Sequence, residues 1–132
     1  MDYVITTGKR KTAVARAVVK KGKGIITING TPAELYPVEV LRNKILEPVK
    51  LAEDKAKGID VTVKVKGGGV TGQADASRTA IARGIVKFLQ DNELENLFRQ
   101  YDRTLIVNDV RIKLPKKPGG RGARAKKQKS YR

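Results

Sequence analysis

The chain has 132 residues, with 29 Lys and Arg against 13 Asp and Glu, and a formal net charge of +16. It contains neither cysteine nor histidine, which excludes disulfides, thiolate metal sites and the usual general base of enzymes. Only Ser77 and Ser130 are serines, so a catalytic Ser-His-Asp triad is impossible. This balance predicts a protein that needs no metal or cofactor and binds a polyanion such as a nucleic acid.

The charge is concentrated at the C-terminal end. Residues 115–132 contain eight Lys and Arg, three glycines, two prolines and no acid. Such a segment buries too little apolar surface to fold alone, so we expect an extended basic tail behind a body formed by residues 1–114. A cytosolic location is expected, because the chain opens directly into a strand pattern and no apolar run approaches the ~18 residues of a membrane span.

Hydrophobic periodicity predicts the first half of the body in chain order. Residues 3–7 are expected to form a strand, and residues 13–29 an antiparallel hairpin whose first strand has small alanines on one face. A capping-box pattern at residues 31–34 predicts a short helix. A longer helix follows to about residue 57, interrupted or restarted at Pro48.

The second half begins with the clearest strand pattern, residues 59–66, in which apolar and polar side chains alternate. A glycine loop at residues 67–72 leads into the longest predicted helix, residues 73–92. A short helix around residues 94–98 and a last strand at residues 105–107 complete the body. This order predicts an α+β fold in which helices cover one face of a mixed sheet.

Cations in the body form two groups. Lys9, Arg10 and Lys11 follow one another between two predicted strands, and Arg16 continues the group. Such a run is either a solvated surface or a phosphate-contacting ribbon, and the scarcity of nearby acids favours the ribbon. The second group is predicted to face outward from the long helix and consists of Arg78, Arg83 and Lys87.

The glycine loop fits the pattern G-x-G-x-x-G between a strand and a helix. Three interpretations are open: a dinucleotide site, a purely structural turn, or a nest of backbone N–H groups that binds a phosphate. Asp91 has the sequence separation of a ribose-binding acid but lies at the end of the predicted helix. The nest, formed by Gly67, Gly68 and Gly69 beside Lys66, is therefore favoured.

Three segments carry a resemblance to a known family. They are residues 8–16 (GKRKTAVAR), residues 65–74 (VKGGGVTGQA) and residues 128–132 (QKSYR). In this order and spacing they are similar to the family of the ninth protein of the small ribosomal subunit, in its archaeal and eukaryotic branch. The resemblance runs the full length of the chain.

The resemblance implies a four-stranded mixed β-sheet covered by helices, with a left-handed βαβ crossover, a fold shared with the second domain of the fifth small-subunit protein. It implies a non-enzymatic constituent of the head of the small subunit in cytoplasmic ribosomes. Its partners would be ribosomal RNA, neighbouring head proteins and peptidyl-site transfer RNA, with no membrane and no small-molecule substrate. Composition alone also fits a chromatin-type protein that compacts duplex DNA.

The residues expected to act in this way form two sets. The set near the anticodon stem-loop of the transfer RNA consists of Lys129, Ser130, Tyr131 and Arg132. The set on ribosomal RNA consists of Lys9, Arg10, Lys11, Arg16, Lys66, Gly67, Gly68, Gly69, Arg78, Arg83, Lys116, Lys117, Arg121, Arg124, Lys126 and Lys127.

Overall fold

The computed structural model describes residues 3–125, 128 and 130. Five strands form one sheet: β1 (Tyr3–Arg10), β2 (Ala13–Lys21), β3 (Ile26–Ile28), β4 (Thr31–Pro32) and β5 (Ile59–Lys66). Three α-helices accompany it: α1 (Glu39–Ala52), α2 (Val70–Leu89) and α3 (Asn92–Tyr101). Short 3-10 helices occupy Ala33–Leu35, Glu53–Gly58 and Arg103–Leu105.

The strands lie in the order β1-β2-β5-β3-β4. The pairs β1–β2, β2–β5 and β3–β4 are antiparallel, whereas β3 and β5 are parallel and are joined through α1. The expected α+β class with a mixed sheet is confirmed. The sheet has one strand more than the four expected, because the two-residue β4 pairs with β3. The left-handed sense of the β3-α1-β5 crossover stays a prediction.

The predicted hairpin over residues 13–29 is wrong, because β5 lies between β2 and β3. The true hairpins are β1–β2 and β3–β4. Asn29 and Gly30 form the tip of the second, with φ angles of 51° and 83° in the left-handed region. The Asn29 side chain also accepts from the N–H and donates to the C=O of Val65, at 2.9 and 3.0 Å, which ties this tip to β5.

The helices differ from expectation at three places. The capping box at residues 31–34 does not form, since Thr31 belongs to β4 and the short 3-10 helix begins at Ala33. Pro48 does not interrupt α1 but lies buried within it. The long helix α2 begins at Val70, inside the predicted glycine loop, and ends where Gln90 adopts a φ of 52°.

The predicted last strand at residues 105–107 is also wrong. The chain forms a 3-10 turn at Arg103–Leu105, because the Asp102 carboxylate accepts from the N–H of Thr104 at 3.0 Å. Leu105 is buried at the end of this turn. A single parallel bridge between Arg10 and Asp109 is the last sheet contact in the described part of the chain. Residues 110–114 are exposed and belong to no strand of the sheet.

The core lies between the sheet and α2, and small residues allow the two to come close. Ala13, Ala15 and Ala17 of β2 are fully buried beneath the helix, as their small size predicted. A Cβ at Gly8 would lie 2.2 Å from the carbonyl oxygen of Ala76, and one at Gly84 would lie 2.5 Å from Val19. The close approach therefore depends on glycine on both surfaces. None of the described helices is both long and apolar enough to cross a membrane.

Gly8→Ala should destabilise the body by about 1–3 kcal/mol, the usual cost of overpacking. The added methyl group would meet helix backbone, which cannot move aside as a flexible side chain could. Thermal or denaturant unfolding measures the effect. Gly58→Ala is the matched control, because no atom lies within 4 Å of the added Cβ there. Equal stability of the two variants would contradict this account of the helix packing.

Candidate nucleic-acid interface

One face of the sheet is not covered by helices. Strand alternation sends every second residue of β1, β2 and β5 to this side. We call it the open sheet face, and its outward residues are Tyr3, Ile5, Thr7, Lys9, Val14, Arg16, Val18, Lys20, Asp60, Thr62, Lys64 and Lys66. Cations outnumber acids there by five to one.

Four of these cations lie together at one end. The strand register places Lys9, Val14 and Lys66 side by side in one row, and Arg16 opposite Lys64 in the next row. All four cations are exposed. We call Lys9, Arg16, Lys64 and Lys66 the basic cluster. Lys64 was not among the predicted RNA-binding residues, although its alternation with buried Val63 and Val65 places it on the same face as Lys66.

The single acid of the open sheet face does not neutralise this cluster. Asp60 lies four residues from Lys64 along β5, about 13 Å at strand spacing and beyond the ~8–10 Å over which salt screens exposed charges. Its carboxylate accepts from the N–H groups of Lys23, Gly24 and Ile25, at 2.8, 3.1 and 3.0 Å. Those backbone donors, first that of Ile25, hold the pKa of Asp60 below its ordinary value, and nearby Lys20 adds to the effect.

The glycine loop adjoins the same end of the sheet, directly after Lys66. Gly67 and Gly68 have φ angles of 82° and 65°, and a Cβ at Gly67 would lie 2.6 Å from the carbonyl oxygen of Thr12. These two glycines are therefore required by the turn itself. Gly69 is unconstrained, and it precedes the first turn of α2, whose N–H groups lack partners within the helix. The structural interpretation therefore holds for Gly67 and Gly68, and the anion-binding interpretation stays a prediction for Gly69.

The β1–β2 turn and the start of the tail also lie at this end. Lys11 is exposed at the turn with a φ of 54°. Arg10 is less available, because its Nη1 donates to the carbonyl of Arg111 at 2.8 Å and its Nε lies 3.9 Å from Asp109. Hydrogen bonds from the Arg111 side chain and backbone lower the pKa of Asp109 well below its ordinary range, with Arg10 adding to the effect.

Arg78 does not face outward as predicted. It is 6% exposed and lies between α1, α2 and the turn after α3. Its guanidinium donates to Glu47 at 2.6 and 2.9 Å, to Asp102 at 3.0 Å and to the Thr104 hydroxyl at 3.1 Å. Arg78 therefore joins elements of the body, and its predicted outward orientation is wrong, whereas its contact with RNA stays a prediction.

Arg83 is likewise directed inward, although it is only half-buried. It donates from Nε to the carbonyl of Ile106 at 2.6 Å and from Nη1 to that of Thr7 at 2.9 Å, and burial lowers its pKa. Those contacts fasten α2 to the edge of β1, so the expected outward orientation is wrong here too. Lys87 is exposed as predicted.

A dinucleotide site does not fit this geometry. Asp91, the candidate ribose-binding acid, follows the 20 residues of α2, about 30 Å from the glycine loop. Its carboxylate caps α3 through the N–H groups of Glu93 and Leu94 and pairs with Lys55. Within residues 3–125, 128 and 130, no group of three or more acids is placed to hold a metal ion.

A family model described as ribosomal protein S9/S16 matches residues 8–132. The chain belongs to this family. Small ribosomal subunit protein uS9 of Thermoplasma acidophilum is 84% identical over 129 residues, covering 98% of this chain and all of the relative. Proteins of the same name from Picrophilus torridus and Halobacterium salinarum are 60% and 54% identical, covering 99% and 96% of this chain and 98% and 97% of their own lengths.

Membership of the ribosomal protein S9/S16 family confirms the resemblance read from the three sequence segments. The family is a structural rather than an enzymatic one. This membership favours the ribosomal account of the positive charge over the chromatin-type alternative. Of the predicted family contacts, the structure brings together Lys9, Lys11, Arg16, Lys66 and the glycine loop.

The remaining residues that were predicted to contact RNA lie in the C-terminal tail. Lys116, Lys117, Arg121 and Arg124 are exposed, and they make no hydrogen bond or ion pair to the rest of the described chain. Ser130 is exposed as well. The predicted contacts that lie outside the described residues are Lys126, Lys127, Lys129, Tyr131 and Arg132.

Arg78→Ala should lower the free energy of unfolding by about 1.5–3 kcal/mol, because it removes charge-assisted hydrogen bonds to two carboxylates. Lys87→Ala, an exposed change on the same helix, is the control and should shift stability by less than about 0.5 kcal/mol. Chemical denaturation at neutral pH measures both. Similar losses in the two variants would show that the buried arginine has no special role.

The same variant should change the acid dependence of stability. Burial raises the pKa of Asp102, but hydrogen bonds from Thr104 and Arg78 outweigh it and hold the pKa below the ordinary value of 3.8. A lowered folded-state pKa stabilises the fold above the unfolded pKa and ceases to do so as pH falls through the folded value. Stability should therefore fall less steeply below about pH 4 in Arg78→Ala.

Proposed function

We propose that this chain is a structural constituent of the small ribosomal subunit in cytoplasmic ribosomes, and that it binds ribosomal RNA through the basic cluster. One observation carries the proposal: four exposed cations share one end of an uncovered sheet face with no acid among them. The relatives are named as small ribosomal subunit proteins, and this supports the small subunit as the assembly in which the chain acts. The position in the head of the subunit and beside other head proteins is part of the same proposal.

The arrangement of the basic cluster supports binding rather than folding. Arg16 and Lys64 are direct cross-strand partners, and like charges in such positions destabilise a sheet by roughly 0.2–1 kcal/mol. Bound phosphates would reverse the sign of this interaction, because each cation would then face an anion and release a counterion. The like-charge pair therefore destabilises the free protein and becomes favourable with a bound anion.

The open sheet face favours the backbone of structured RNA over unstacked bases. Tyr3 is its one aromatic residue, and it lies at the far end of β1 from the basic cluster. Stacking platforms for single strands use several aromatic side chains, whereas folded RNA is bound through phosphates and 2′-hydroxyls. We propose that N–H groups after Gly69 and the exposed Lys11 add to these phosphate contacts.

For the tail we propose the role that the family resemblance implies, contact with the anticodon stem-loop of peptidyl-site transfer RNA by residues 129–132. Eighteen residues can reach roughly 60 Å when fully extended, so residues 115–132 can bind far from the body. The cations of residues 116–124 would contact ribosomal RNA on the way. Their exposure, with no acid in the segment, supports this role.

Arg16→Gln and Lys64→Gln should each weaken binding to a transcript of the head region of small-subunit ribosomal RNA and reduce the salt-dependence slope by about one unit. The free energy of unfolding should stay the same or rise slightly, because a like-charge pair is removed. Filter binding over a salt series and thermal unfolding give the two readouts.

Lys50→Gln is the matched control, since Lys50 is exposed on α1, away from the open sheet face. It should leave the salt slope nearly unchanged. If all three variants lower the affinity equally, net charge alone explains binding and the basic cluster is not the interface. Duplex DNA as a competitor tests the DNA-compacting alternative, which predicts no preference for the transcript.

Deletion of residues 115–132 should leave the melting temperature of the body unchanged, because none of residues 115–125, 128 and 130 is buried. It should weaken retention of transfer RNA at the peptidyl site of reconstituted subunits.

Arg132→Ala alone should weaken this transfer-RNA binding roughly tenfold, since a charge-assisted hydrogen bond contributes about 1.5–3 kcal/mol.

Lys20→Ala on the open sheet face controls for loss of one positive charge. An equal, small effect of Arg132→Ala and Lys20→Ala on transfer RNA would remove the special role of the terminal arginine. A large drop in melting temperature on deletion would show that the tail belongs to the folded body.

A further inference from the structure

The two edges of the sheet are protected to different degrees. At one edge, β4 has only two residues and the second is Pro32, which has no N–H to donate. Short edge strands and prolines prevent pairing with further strands. The other edge is β1, which has eight residues and no proline. Its protection therefore has to come from neighbouring side chains.

Such protection covers only the C-terminal half of β1. The carbonyl of Thr7 accepts from Arg83 at 2.9 Å, and the N–H of Lys9 donates to the Asn108 side chain at 3.1 Å. Arg10 forms its bridge with Asp109 just beyond. These contacts also show that the odd-numbered residues of β1 direct their backbone groups away from β2, because these groups alternate along a strand.

By the same alternation, the backbone N–H and C=O groups of Tyr3 and Ile5 point outward. Within residues 3–125, 128 and 130, no hydrogen bond reaches them. Their own side chains are large and apolar, with Tyr3 and Ile5 56% and 47% exposed. On β2, half-buried Val18 lies beside Ile5 and exposed Lys20 lies beside Tyr3. We call this half of β1, residues 3–6, the open edge.

We propose that the open edge pairs with an extended segment of a neighbouring protein, which adds a strand to the sheet beside β1. Tyr3 and Ile5 each offer one donor and one acceptor at strand spacing, the pattern that another strand satisfies. Apolar or β-branched side chains at alternate positions of the partner would pack beside Tyr3 and Ile5 and extend their apolar surface. This inference rests on the proposed function, because the small subunit supplies the neighbour.

Two other occupants fit less well. RNA would have to cover two large apolar side chains, and it lacks the regular alternation of amide donors and acceptors along a strand. A second copy of this chain could form an antiparallel β1–β1 pair, but each copy carries a net charge of +16, which opposes association. Both occupants are distinguishable outcomes of the following experiment.

The test is residue-resolved amide hydrogen exchange of the free protein, of its complex with the head transcript, and of intact small subunits. The Ile5 amide should exchange rapidly in the first two samples and roughly tenfold or more slowly in subunits. The Thr6 amide, which points towards β2, should be protected in all three. Protection by the transcript alone, or in the free protein in a concentration-dependent way, would overturn the inference, as would rapid Ile5 exchange in subunits.

Ile5→Pro gives a second readout, because it removes the outward N–H without removing a bond to β2. The variant should melt near the temperature of the unaltered protein and bind the transcript equally well, but leave subunits at lower salt. Ile5→Thr, which keeps the N–H but trims the apolar side chain, should have an intermediate effect. Unchanged retention of a folded Ile5→Pro variant would overturn the proposed strand.

Failure of the inference can be separated from failure of the proposed function. If the unaltered protein does not enter small subunits, the ribosomal role itself fails. If it enters them while the Ile5 amide still exchanges rapidly, the ribosomal role stands and only the added strand is refuted.

Discussion

Close contact between α2 and the first two strands is the constraint on which the rest of the structure depends. Gly8 and Gly84 allow this contact, because a single Cβ at either position would overlap the opposite surface. The alanines of β2 fill the remaining space. Long charged side chains have no room beneath the helix, so Lys9, Arg16 and Lys64 lie on the open sheet face. Arg10, at the end of β1, is directed to Arg111 and Asp109 instead. The packing of the core thus determines where an interface can form.

Sequence periodicity predicted those elements whose signal lies within their own residues. β5 and α3 occur as expected, because alternation and a short apolar stripe are local properties. The neighbours of a strand are not local properties. β2 and β3 were predicted to pair because they are consecutive, but β5, some thirty residues later, lies between them. Residues 105–107 failed as a strand because Asp102 turns the chain before it can reach the sheet.

The candidate site was predictable to a similar degree and for the same reason. Lys9, Arg16 and Lys66 alternate with buried neighbours, so their exposure followed from the pattern, and the same reasoning would have found Lys64. Arg78 could not be assigned in this way. Its partners Glu47 and Asp102 lie 31 and 24 residues away, and only the folded chain shows that an arginine on the long helix is fully occupied by them.

The open sheet face separates two kinds of chemistry along its strands. Arg16 and Lys64 place like charges opposite each other at one end. At the other end Tyr3 and Ile5 expose apolar surface, and their outward backbone groups have no partner among the residues that the structure describes. Neither arrangement stabilises the free chain. Both would become favourable in an assembly that places RNA against the first and a protein strand against the second. Because β1 extends from one region to the other, RNA and protein contacts would be held in a fixed relation by a single strand.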